Sequence, residues 1–138
     1  MGLHSYNHGL VTSSKGMAIE FVKVTTLDET PGAAVEATVE DGNSNLILKV
    51  IHSATGTFDF YLNKPYPPSL LLCSPVMSTA AGTTDQFSTY KSGSYSATTG
   101  IFTVFLSDDD GDGTPALADG AATDEMHVTL VFSRYTTL

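Results

Sequence analysis

Two stretches decide the fold: "SATGTFDFYL" (Ser53–Leu62) and "SATTGIFTVFL" (Ser96–Leu106). They match across a tight glycine turn, with one extra threonine in the second. Aligning Gly56 with Gly100 sets Phe58, Phe60 and Leu62 over Phe102, Val104 and Leu106. Successive residues of a strand point to opposite faces, so each triplet shares one face. Each copy therefore reads as a hairpin that enters through a strand, turns at Ala-Thr-Gly or Thr-Thr-Gly, and leaves through an aromatic strand. Two copies are too few for a solenoid. A sandwich is expected to carry the two hairpins on facing sheets.

Working outward, the same alternation recurs. In "MHVTLVF", Met126, Val128, Leu130 and Phe132 are expected inward and His127, Thr129 and Val131 outward. "MAIEFVKVT" (Met17–Thr25) is rich in branched and aromatic residues and reads as a strand. Val35, Ala37 and Val39 alternate with Glu36, Thr38 and Glu40; Asp41-Gly42 then supplies a turn, and a partner strand runs from about Asn45 to Ser53. The prolines of "PYPPSLLLCSPVM" mark a corner before a buried strand. Half of residues 78–99 are Ser or Thr; a short strand is expected near 86–91 and another leading into Gly100. No stretch carries a helical period. The expected fold is all-β, a two-sheet antiparallel sandwich of the jelly-roll kind with about eight strands. Residues 1–16, polar and glycine-bearing, read as a flexible N-terminal arm, and 17–138 as a single β-sandwich domain.

The composition fits one soluble domain: 138 residues, 41% hydrophobic and only 15% charged. The formal net charge of −9 is concentrated. Asp108, Asp109, Asp110, Asp112, Asp119, Asp124 and Glu125 lie in one segment without Lys or Arg, leaving eight acids against six bases elsewhere. No basic stripe exists, which argues against nucleic acid as a partner. The longest apolar run, Leu70–Cys73, is too short to span a membrane, and the opening residues show no basic start followed by an apolar stretch. Cys73, the single cysteine, sits among apolar neighbours and reads as a small core residue.

Candidate chemistry is sparse. "SDDDGDG" begins as a calcium loop does, with Asp108, Asp110 and Asp112 alternating before Gly113, and Asp119 falls at the twelfth position. The twelfth ligand is ordinarily a bidentate Glu, Pro115 interrupts the pairing strand, and strands rather than helices flank the loop. The reading is a solvated hairpin loop, with no metal and no cofactor; Asp108, Asp110 and Asp112 are the one set that would supply a site. His4 and His8 lie in the arm, His52 at the end of a strand and His127 on a non-core face, and all four read as surface or interface residues. No nucleophile elbow, phosphate loop or dinucleotide fingerprint is present, so no catalytic residue is assigned and the chain is not expected to be an enzyme. Tyr61, Tyr66, Phe87, Tyr90 and Tyr95 would suit a sugar platform but read more simply as core and interface rings.

The hairpin "ATTGIFTVFL", the earlier "ATGTFDFYLNKPYP" and the terminal "DEMHVTLVFSRYTTL" resemble the small all-β decoration, or cement, proteins of tailed-bacteriophage capsids, over roughly residues 45–138. The resemblance implies a structural role without catalysis. It implies a homotrimer on the outer capsid surface of the virion, bridging major capsid protein subunits against the pressure of packaged DNA. The arm at residues 1–16 would reach a neighbouring subunit. Two covers fit the outward apolar residues Ile101, Phe105 and Val131: a second sheet or another protomer. The alternative function is a receptor- or glycan-binding β-sandwich head of the tail-fibre-tip type, assisted by calcium at Asp108–Asp112.

Overall fold

The computed structural model describes residues 16–39, 46–79, 86–109 and 113–133. Among these described residues nine strands follow in order: β1 (Met17–Thr25), β2 (Ala34–Val39), β3 (Ile47–Ala54), β4 (Thr57–Leu62), β5 (Ser69–Ser78), β6 (Gln86–Tyr90), β7 (Ile101–Asp108), β8 (Ala116–Leu117) and β9 (Glu125–Ser133). Among the described residues there is no helix, as expected. The strands form one antiparallel path, β5-β9-β1-β2-β3-β4-β7-β6, with β8 paired to β7. Its two ends, β5 and β6, lie against each other, so the sheet curls nearly into a barrel. β2 makes the bend. Its Glu36–Val39 half pairs with β1, whereas Ala34 and Val35 pair with β3.

Alternation explains the core. Phe58, Phe60, Leu62, Phe102, Val104 and Leu106 are all buried, as are Met126, Val128, Leu130 and Phe132. Phe60 and Phe102 stack at 4.8 Å, and Phe132 meets Phe102 edge-on at 6.3 Å. Each such buried side chain contributes about 1.5–3 kcal/mol, and the ring pairs add about 0.5–1.5 kcal/mol more.

The repeat is placed differently from expectation. β4 and β7 are not on facing sheets but are hydrogen-bonded neighbours, Phe58 opposite Val104 and Phe60 opposite Phe102. Equivalent positions Asp59 and Thr103 face each other, so a local two-fold axis runs between them, and the Thr103 hydroxyl donates to Asp59 Oδ1 at 2.6 Å. The ends are reciprocal: Leu62 N–H donates to the Gly100 carbonyl and Leu106 N–H to the Gly56 carbonyl, both at 2.8 Å. The two aligned glycines also serve matching purposes. Gly56 (φ 58°) and Gly100 (φ 66°) occupy the left-handed region. A Cβ on Gly56 would fall 2.3 Å from the Leu106 carbonyl oxygen, and one on Gly100 equally close to the Tyr66 ring. In the second copy the entering strand shrinks to one bridge, Ser96 to Ile101. β8, two residues beside Pro115, was not foreseen.

Candidate functional site

The outer surfaces of the barrel follow from register. On β5-β9-β1, outward residues line up in rows: Leu72–Val131–Ile19, Ser74–Thr129–Phe21, and Val76–His127–Lys23. β5 is not the buried strand expected after the proline corner: a bulge at Leu71 turns two successive leucines outward, and no residue of the strand is fully buried. Ile19, Phe21, Leu71, Leu72 and Val76 remain between 42% and 60% exposed. β1 carries the more telling pattern. Ala18, Glu20, Val22 and Val24 share the inward side, and Glu20 is only 6% exposed, while Ile19 and Phe21 face out. A strand that buries a carboxylate and presents Ile and Phe to water has an outer face built for contact rather than solvation. This face, apolar at one end and charged at the other, is the candidate functional site.

A second feature closes one end of the barrel. His52 is fully buried at the end of β3 and stacks on Phe58 at 4.8 Å. Its Nδ1 meets the Glu29 carbonyl and its Nε2 meets Asp119 Oδ1 at 2.8 Å. The same Oδ1 accepts the Gly56 N–H at 2.8 Å. His52 is therefore no surface residue, which corrects the sequence reading. Its partners lie 23 and 67 positions away in the chain, beyond any local pattern. With both ring nitrogens engaged and the ring fully buried, His52 has no nitrogen left for a substrate; it ties the β1–β2 and β8–β9 connections to the β3–β4 turn.

The other sequence candidates scatter. Asp108 pairs with Gln86 and Ala116 at the end of β7, Asp109 Oδ1 accepts the Gly113 N–H at 3.0 Å, and Asp119 is committed to His52 and Gly56. Asp110 and Asp112 lie outside the described residues, as do His4, His8 and all of the proposed arm except Gly16. Among the described residues, no three His, Cys, Asp or Glu gather as a metal site. His127 is exposed, 3.0 Å from Glu125. Cys73 lies half-buried on the inner side of β5, and burial pushes its thiol up to about 12. Burial, helped by neighbouring Tyr66, likewise holds Tyr95 at about 12, and its hydroxyl donates to the Pro67 carbonyl.

The five rings do not form one platform. Tyr66, Tyr90 and Tyr95 pack against the core, whereas Tyr61 and Phe87 face outward on β4 and β6. A cleft of about 300 Å³ opens at the corner formed by Pro65, Tyr66, Pro67 and Pro68, closed by Ala18 and Leu46. Set against known families, characterised proteins and solved structures, the chain matches none.

Proposed function

We propose that the protein is a structural decoration, or cement, protein on the outside of a tailed-phage head, bridging and stabilising major capsid subunits as a homotrimer. The observation that carries this reading is the unshielded apolar face of β5-β9-β1, with Glu20 turned inward and Ile19 and Phe21 turned out. Such an arrangement suits a subunit that works by being assembled. The sequence resemblance supplies the kind of assembly. On this reading the curled sheet is a two-sheet jelly roll in outline, hinged at β2, where pairing passes from β1 to β3. No catalytic step is assigned to it.

Quantitative mass spectrometry of purified particles against the major capsid protein tests the proposal. A copy ratio near one, or a simple fraction of it, is expected. A handful of copies would move the protein to a tail tip and favour the receptor- or glycan-binding alternative. Absence from particles would remove the virion role.

A further inference from the structure

Resting on that assembly reading, we infer that the outer face of β5-β9-β1 is the contact between copies of this chain. Charge is the first reason. Each copy carries a formal −9, so two copies repel one another in general. The outer rows of this face are an exception: their charged members Lys23, Glu125 and His127 sit at one end, where Glu125 and His127 already meet at 3.0 Å. Asp108, at the end of β7, is separated from β5 by β6, and Asp119, just past β8, is turned to His52 and Gly56 at the end of the barrel. The least repulsive approach of one copy to another is therefore through the Leu72–Val131–Ile19 row.

Size is the second reason. Three strands at ~4.8 Å spacing and the run from Leu71 to Ser78 at ~3.3 Å per residue give a face of a few hundred Å² in projection, apolar over the part that holds Leu71, Leu72, Val131, Ile19 and Phe21. A stable contact buries about 800 Å² of accessible surface on each side, with an apolar centre and a polar rim. The centre is present, and Lys23, Glu125 and Thr38 supply rim chemistry beside it. Interfaces between copies of one chain are also more apolar at their centre than those between partners that fold and circulate separately. A preformed capsid lattice is a partner of the latter kind, and would leave Phe21 and Leu72 in water until docking. A second copy is available from synthesis onward.

Sedimentation of the full chain at tens of micromolar tests this directly. An oligomer is expected, with three copies if the trimer reading holds. Val131→Glu and Ile19→Lys should each raise its dissociation constant about a hundredfold or more by placing a charge in the buried centre. Both variants should keep a cooperative melt. Thr89→Glu, on the outer side of β6, should leave the association unchanged. Should either charged variant not fold, Leu72→Ser, at a half-exposed position, is expected to weaken association in the same direction. A monomeric wild type, or an oligomer indifferent to these substitutions, overturns the inference. The two readings fail separately. A monomer abundant on particles sinks this contact but keeps the decoration role, whereas an oligomer absent from particles does the reverse.

Discussion

The barrel has two outer sides made from the same chain, and they are finished differently. On β4-β7, outward groups are polar or covered. Asp59 takes the Thr103 hydroxyl at 2.6 Å, Lys49 lies over Tyr61 at 4.9 Å, and Lys91 lies over Phe105 at 5.7 Å. In both, the ammonium nitrogen itself sits over the ring, a cation–π contact that covers the ring face. On β5-β9-β1, Ile19, Phe21 and Leu72 stand about half-exposed. Aromatic and aliphatic residues face outward on both sides, so apolar content alone does not mark an interface. Leu48, Phe87 and Leu117 are also exposed, on β3, β6 and β8, so what sets β5-β9-β1 apart is that its exposed apolar residues gather around the Leu72–Val131–Ile19 row.

The largest effect should come from the core that both sides share. Phe102 contacts Phe60, Phe132, Tyr90 and Tyr95, joining the backs of the two faces. Phe102→Ala is expected to cost about 3–5 kcal/mol, read as a lowered denaturation midpoint. If only one side loosened in hydrogen exchange, the two would be separate units and the comparison would fail.

A smaller effect should single out the bare side. Cys73 lies behind it on β5, and Tyr95 packs on Phe132 of β9 at 5.8 Å. Both are held neutral in the folded chain, raised from 9.0 and 10.0 to about 12 chiefly by burial. The unfolded chain loses these protons first as pH rises. Their contribution to stability is therefore complete below about pH 9 and lost by about pH 12. Denaturant midpoints should fall across that window, and Tyr95→Phe should flatten part of the fall. A Tyr95→Phe curve parallel to wild type would contradict the assignment.

The comparison shows where the sequence was legible. Alternation in "TFDFYL", "IFTVFL" and "MHVTLVF" was enough to place ten core side chains, because neighbouring residues of a strand divide cleanly between inside and outside. "MAIEFVKVT" was legible as a strand but not in its facing. Apolar residues occupy both parities there, and only pairing with β9 sets Glu20 inward beside Leu130. The repeat announced two like hairpins without revealing that their aromatic strands pair with each other. Nor did anything near His52 signal burial, since Glu29 and Asp119 reach it through the closed fold.

The smallest effect should come from the covered side. Lys91→Ala removes a lid that is worth about 1 kcal/mol or less. Phe105 should then gain exposure, measurable as increased binding of an apolar dye, with no change in oligomeric state. A change in association would mean that the covered side also serves as a contact.

Hydroxyl-radical footprinting of the full chain tests the central claim most directly, because the molecule supplies its own control. Within one chain Phe21, on the bare side, is 48% exposed and Phe87, on β6, is 38% exposed. If copies meet across β5-β9-β1, Phe21 should be oxidised several-fold more slowly than Phe87 despite its greater exposure in the single chain. Equal rates, or faster oxidation of Phe21, would show that the bare face stays in water and would contradict the account.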